Sequence, residues 1–253
     1  MTTDDLAWTA EEACQNAWPS PRQVLLEGWL LRASGGQTRR TNSVNPLRSG
    51  PRDPSRIVAA AEGIYRSLGQ SALFRVPSIV AEMDGPLERQ GYAAEGETCT
   101  IFADLADHRT EPDGTVELSE TPSEAWLAAR TAMNPTESAD AAGSPYRQMV
   151  GSIVLPKAFA ARRVDGALVA IAYGVIHDQL LVVESVGTHP DHRQRGHAAR
   201  TVSGLMGWAK SRGIQGCCLQ VVADNSAARA LYRSLGFGTE LSRYHYRRQP
   251  DAG

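Results

Sequence analysis

No stretch of the 253 residues approaches the roughly 18 consecutive apolar side chains of a membrane-spanning helix. Charge of one sign is lacking too. Lys and Arg number 26 against 28 Asp and Glu, a net charge of -2, which gives neither nucleic acid nor a membrane surface a reason to bind. The first ten residues carry Asp4 and Asp5 and have no basic start or apolar stretch, so no secretory signal is expected and the chain is read as cytoplasmic. Cysteine is scarce, and Cys14, Cys99, Cys217 and Cys218 lack the spacings of zinc sites or redox pairs, so free buried thiols are expected. Cys217 and Cys218 open the apolar run Cys217–Val222, a buried strand, which argues against a nucleophilic role. His189, His192 and His197 lie close in sequence without an acidic ligand at fitting spacing, so no metal is expected.

What is present sorts into periodic segments, most clearly in the second half. Gly166–Ile176 and Leu180–Gly187 are apolar or β-branched runs divided by His177-Asp178-Gln179, the pattern of two antiparallel strands joined by a short turn. Pro190 stops the second strand and a basic loop follows. Ala198, Val202, Leu205, Met206 and Ala209 then recur at helical spacing across a predicted helix, Ala198–Arg212, which Gly213 ends. Next come the strand Cys217–Val222, a helix Ser226–Leu235 signalled by Asp224 and Asn225 and stopped by Gly236, and a terminal strand Tyr244–Arg247. Upstream, Pro122–Met133 predicts a helix, Asn134–Ser144 a loop, Tyr146–Val150 a short helix and Lys157–Val164 a strand.

The first half reads as a helix Thr9–Ala17, an extended region Gln23–Ala33, a helix Ser55–Leu68, a strand Leu73–Val76, a helix Ile79–Gln90 and a strand Thr98–Asp104. The segment Ala106–Thr115, with Pro112, Asp113 and Gly114, has linker composition. The expected division is 1–107, a linker at 108–115, and 116–253. A weak internal repeat joins the halves. Helix ends at Gly69 and Gly91 in the first half match Gly213 and Gly236 in the second, each pair enclosing a strand and a helix, which points to duplication.

Arg193-Gln194-Arg195-Gly196-His197-Ala198 lies between a buried strand and an amphipathic helix. Such a loop exposes unpaired backbone N–H groups at the positive end of the helix dipole, glycine lets the backbone approach an anion, and two arginines add charge. By itself it fits a pyrophosphate cradle or a solvated basic turn equally well. In context, the stretch Thr188 to Ala198 resembles the acyl-CoA-binding motif of the GNAT superfamily of N-acetyltransferases, (Arg/Gln)-x-x-Gly-x-(Gly/Ala). Asn225-Ser226-Ala227-Ala228-Arg229-Ala230-Leu231-Tyr232, followed by Leu235-Gly236-Phe237, is similar to the second signature of that superfamily. The resemblance is strong from about Gly166 to Arg247 and reaches back to Val116.

The resemblance implies an α/β (α+β) fold, a mixed, mostly antiparallel sheet flanked by helices, here duplicated. The first half looks like a degenerate copy, since Asn45–Ser55 and Ile79–Gln90 lack both motifs, and no acyl-CoA binding is expected there. By the same resemblance Val186, Gly187 and Thr188 would pair with the pantetheine of acetyl-CoA, the co-substrate. Arg193, Gln194, Arg195, Gly196, His197 and Ala198 would take the pyrophosphate, Asn225 and Ala228 would lie along the pantetheine, and Tyr232 would protonate the departing sulfur. Glu184 is a charge inside an apolar strand. It stands as the base for the amine, as a ligand for a cationic substrate, or as the partner of an arginine, and the sequence leaves these open. His245, between Tyr244 and Tyr246, is a second candidate base or a strand histidine. The run Arg39–Ser43 either lines the acceptor site across the junction of the halves or forms a solvated polar turn.

The expected activity is acetyl transfer from acetyl-CoA to a primary amine of a small molecule, by direct attack in a ternary complex and without a metal. A protein or peptide acceptor, or a non-catalytic acyl-CoA-binding regulatory protein, are the alternatives. The expected assembly is a monomer or a homodimer.

Overall fold

The computed structural model describes residues 2–35, 38–106, 108, 114–133 and 145–250. The chain opens with α1 (Thr3–Ala17), which starts before the predicted Thr9. A capping box explains the early start: Thr2 Oγ1 accepts from the Asp5 N–H at 3.1 Å, and Asp5 takes the Thr2 N–H in return. The extended region divides into a hairpin, β1 (Gln23–Leu26) and β2 (Trp29–Arg32). Glu27 and Gly28 both take positive φ at its turn, the geometry that matches strand twist.

Next come β3 (Val44–Pro46), α2 (Val58–Ser67), β4 (Leu73–Pro77), α3 (Asp84–Arg89) and β5 (Ala93–Asp104). The helix predicted over Ile79–Gln90 is instead a 3₁₀ segment, Ser78–Met83, followed by α3. Pro86 has no N–H to give and is tolerated only in a first turn, so the helix restarts at Asp84. The strand predicted over Thr98–Asp104 begins at Ala93. Its polar start, Glu95-Gly96-Glu97, reads as a loop locally but is held by β11 through Glu95 and Tyr246, and by the Ala223 N–H, which donates to the Glu97 carbonyl at 3.0 Å. The second half comprises β6 (Val116–Ser119), α4 (Glu124–Met133), α5 (Pro145–Gly151), β7 (Lys157–Val164), β8 (Ala167–His177), β9 (Leu180–Thr188), α6 (His197–Lys210), β10 (Gly216–Val222), α7 (Ser226–Ser234) and β11 (Thr239–Arg248). The loop expected at 134–144 and much of the expected linker lie outside the described residues.

All strands join one mixed, mostly antiparallel sheet in the order β1-β2-β3-β4-β11-β5-β10-β9-β8-β7-β6. Among the described residues, only β3 with β4 and β9 with β10 are parallel. The terminal strand β11 lies between β4 and β5, and β5 lies between β11 and β10. Each half therefore borrows a strand edge from the other, and the 108–115 division separates the sequence without separating the sheet. Helices cover both faces, and the GNAT arrangement expected from the motifs is present. α4 and α5 pack on one face around Trp126 and Tyr173, α6 and α7 on the other around Val202, Leu205 and Phe237, and α2 and α3 cover the first half. α1 belongs to both halves: Ala7, Ala10, Cys14 and Ala17 pack into the second-half core while Trp8 packs into the first-half core. Small residues three and four apart let this helix lie close against the sheet.

Candidate active site

β9 and β10 are paired over three positions only, Leu180 with Gly216, Leu181 with Cys217 and Val182 with Cys218. Past that point the sheet splits. β9 stays bonded to β8 as far as Thr188 opposite Ala170, and β10 stays bonded to β5 as far as Val222 opposite Thr98. The facing edges, 183–188 and 219–222, therefore have no strand partner, and a wedge opens between them. Such edges offer backbone groups to an extended, amide-bearing ligand. Val186, Gly187 and Thr188 all lie on this open edge. β9 also carries a bulge: Tyr173 faces Glu184 but Ile171 faces Gly187, so Ser185 and Val186 share one partner, and Ser185 takes φ +53°. The Ser185 hydroxyl is in hydrogen-bond contact with the Tyr146 hydroxyl of α5 at 3.0 Å.

The basic loop follows directly. Pro190 opens a single 3₁₀ turn, Gln194 takes φ +59°, and Gly196 takes φ +75° as the residue preceding α6, with no side chain capping the helix. After the Arg193 N–H, which reaches the Pro190 carbonyl at 3.3 Å, the next amide to reach a carbonyl behind it is that of Arg200, to Gly196 at 3.2 Å. Among the described residues, the amides of Gln194, Arg195, Gly196, His197, Ala198 and Ala199 reach no acceptor. A Cβ placed on Gly196 would meet nothing within 4 Å, so the space in front of these donors is open. Arg193 and Arg195 are exposed beside it. Donor density, dipole and open space together fit a pyrophosphate. His197 is held at the rim, its Nδ1 accepting from Arg162 Nε at 3.0 Å, and burial with the nearby arginine charges pushes its imidazole down. The ring of His192 meets that of His189 edge-on at 5.7 Å and lies tilted to that of His197 at 6.0 Å, and among the described residues no group of three His, Cys, Asp or Glu side chains is placed to hold a metal ion.

At the apex of the wedge stands Glu184, 6% exposed. Its partner comes from the first half. Arg40, in the 3₁₀ turn Arg39–Thr41, donates through Nη1 to Glu184 Oε1 at 2.6 Å and through Nη2 to Oε2 at 3.1 Å. Arg40 Nη1 also reaches Gln220 Oε1 on β10 at 3.4 Å, and its guanidinium lies 4.3 Å from the Trp18 ring centroid. Burial opposes the charge on Arg40, but the Glu184 carboxylate more than offsets it and holds the guanidinium protonated. Of the open readings of Glu184, the arginine pair is the one formed, and the polar run Arg39–Ser43 is not a solvated turn. Arg40 is half-buried against Glu184 and Trp18, Thr41 is buried, and Arg39 binds Glu95 at 3.3 Å.

Tyr232 is 8% exposed and edge-on to Phe237 at 5.8 Å. Burial, with the Glu184 charge behind it, pushes its phenol up to about 12, and its hydroxyl makes no hydrogen bond among the described residues. Asn225 caps α7, its Oδ1 accepting the Ala228 N–H at 3.0 Å. His245 is not part of this group. Strand alternation turns it away from Tyr244, whose hydroxyl donates to Gln220 Oε1, and ties His245 Nε2 to Asp84 at 2.7 Å. The four cysteines are buried and free. The sequence singles out Glu184 and the polar run without joining them, and it gives no sign that Trp18 and Gln220 are neighbours of the wedge.

Fold and site together define an acetyltransferase of the GNAT type. The chain belongs to the family described as probable histone acetyltransferase Rv0428c C-terminal, which matches residues 8–248. It is 26% identical over 242 residues to the uncharacterized N-acetyltransferase YobR of Bacillus subtilis, covering 94% of this chain and 96% of that protein. It is 30% identical over 134 residues to an aminoglycoside N(6')-acetyltransferase type 1 of Serratia marcescens, covering 49% of this chain and 91% of that one. A tandem GNAT protein from the clavulanic acid biosynthesis pathway shares the fold over 99% of this chain and 89% of its own, with a TM-score of 0.64 and 11% identity. No helix among the described residues is long and apolar enough to cross a membrane.

Proposed function

We propose that the chain moves the acetyl group of acetyl-CoA onto a primary amine of a small molecule, by direct attack within a ternary complex. The observation that carries the reading is the wedge between two unpaired strand edges, continuous with a loop of six unsatisfied amides. In this reading the pantetheine adds to β9 along Val186, Gly187 and Thr188, and the pyrophosphate lies on Arg193 to Ala198. Asn225 and Ala228 flank the arm, and the thioester lies near the bulge, where a backbone N–H polarises the carbonyl. The amine nitrogen attacks the carbonyl carbon, the C–S bond breaks, and Tyr232 gives its proton to the sulfur. A phenol held at about 12 is neutral at physiological pH and able to donate. Glu184 receives the proton lost by the amine, through water, since both of its oxygens already accept from Arg40.

Only the second half, 116–253, is proposed to bind acetyl-CoA, with 1–107 as a degenerate copy. The name of the aminoglycoside-acetylating relative supports a small-molecule acceptor, and the name of the family keeps a protein amine as the alternative. Thiol release from acetyl-CoA across a panel of amino sugars, amino acids and peptides tests the reading. Turnover with a small amine is expected. Tight acetyl-CoA binding with no turnover on any member would leave a non-catalytic binding protein instead.

A further inference from the structure

Glu184 is held by a residue that the second half does not contain. Arg40 reaches it from the first half, with two hydrogen bonds to the two carboxylate oxygens, the geometry that fixes both the position and the plane of a carboxylate. The same guanidinium contacts Gln220 on the opposite arm of the wedge. Glu184 lies two residues past the last paired residue of β9, and Gln220 two residues past the last paired residue of β10. Arg40 therefore spans the strands where they begin to part.

Its own position is fixed by other first-half groups. Trp18 covers one guanidinium face at 4.3 Å, and the Trp18 ring lies edge-on to Tyr146 at 5.7 Å, which in turn touches Ser185 of the bulge. Behind it, Arg32 donates to the carbonyls of Gln15 and Trp18 and binds no carboxylate among the described residues. Arg75 is matched by Glu11. The Arg40 side chain is 22% exposed and that of Glu184 is 7%, so this pair, unlike Arg75 with Glu11, borders the cleft.

We propose that Arg40 is a positioning residue for acetyl transfer: the degenerate half completes the active site by locking Glu184 and bracing the apex of the wedge. This rests on the acetyltransferase reading above. A duplicated half that binds no co-substrate is thereby retained because one of its side chains organises the catalytic wedge of the other. Arg40 bonds Glu184 and Gln220 and, among the described residues, makes no hydrogen bond to the pyrophosphate loop, so it should affect turnover and not acetyl-CoA affinity.

The test uses the full chain. Arg40→Ala should lower kcat about 100-fold with the acetyl-CoA Kd, read by calorimetry, within about twofold of the parent. Arg40→Lys keeps the charge but not the fork and should fall between them. Because Arg40→Ala leaves a hole shaped for its head group, guanidinium ion at sub-denaturing concentration should restore a saturable part of kcat, while tetramethylammonium at equal ionic strength should not. Unchanged kcat in Arg40→Ala overturns the proposal, as does a parallel loss of acetyl-CoA affinity without guanidinium rescue, which marks a purely structural residue. Absence of turnover by the parent chain on every amine overturns the acetyltransferase reading first and this one with it. Loss of kcat confined to the variant cannot be confused with that result.

Discussion

The two halves treat the surroundings of one parallel strand contact in opposite ways. Each has one parallel strand contact, β3 with β4 at Val44 and Phe74, and β9 with β10 at three positions. In the first half the side chains beside that contact are shut in. Asn45 is fully buried, and Arg75, 2% exposed, is paired with an equally buried Glu11. In the second half the corresponding region opens as a wedge, and its buried acid, Glu184, meets an arginine that still touches solvent. The glycines divide in the same way. A Cβ on Gly50 would meet the Gly28 carbonyl oxygen at 2.3 Å, whereas one on Gly196 would meet nothing within 4 Å. The space that stands open at Gly196 in the second half is occupied around Gly50 and Asn45 in the first by its own side chains and backbone.

The largest effect should come from the filled half. Arg75→Met leaves Glu11 as a buried charge without its cation, and breaking such a pair costs about 3–5 kcal/mol. Denaturant unfolding should show that loss, and a well-packed double replacement, Arg75→Met with Glu11→Leu, should recover most of it. If the single variant unfolds like the parent, the pair is not holding the first half closed.

Next is Tyr232→Phe. Removing a general acid costs about 100-fold or more in kcat, so the variant should be slow and not dead, with acetyl-CoA affinity retained. Because the phenol is held at about 12, the parent should show no alkaline loss of kcat from this group until pH nears that value. An activity loss at much lower pH that persists in Tyr232→Phe belongs to another residue. The counterpart helix, α3, has no tyrosine, so no such variant exists in the first half.

The glycine pair sharpens the contrast by crossing two readouts. Gly196→Val fills the open space before the free amides and should weaken acetyl-CoA about 10- to 100-fold, the worth of one or two charge-assisted hydrogen bonds. Gly50→Ala should leave that affinity alone and cost about 1–3 kcal/mol of stability through overpacking against Gly28. If Gly50→Ala weakens acetyl-CoA, the first half is not the silent copy.

Much of this was legible in the sequence where the signal is local. The loop Arg193 to Ala198, the cap Asn225 and the strand pair around His177 are specified by residues within one turn or one hairpin of each other. What was not legible depends on long-range placement. Nothing in Tyr244–Arg247 says that the last strand lies between β4 and β5, because strand pairing is set by tertiary contact. Arg40 and Glu184 lie 144 residues apart, and each looked anomalous alone, an arginine in a polar turn and an acid in an apolar strand. Pairing the two anomalies was the available signal. For His245 the strand-histidine reading is the one the structure bears out: its residue type fits a base, but strand alternation gives it to Asp84.

The smallest effect discriminates two roles of one residue. Asn225 caps α7 through its Oδ1, while in the first half the residue at the start of α3, Asp84, is spent on Arg247 and His245 of the last strand. Asn225→Ala removes the cap and should cost about 1 kcal/mol of stability. Asn225→Asp keeps an oxygen for the Ala228 N–H, so its stability should match the parent within about 0.5 kcal/mol. It loses the amide donor, however, and brings a negative charge to the proposed pantetheine path. A several-fold weaker acetyl-CoA Kd at parental stability then assigns Asn225 to ligand binding as well as capping. Parental affinity in Asn225→Asp would reduce it to a helix cap, and the second motif would contribute Ala228 and Tyr232 only.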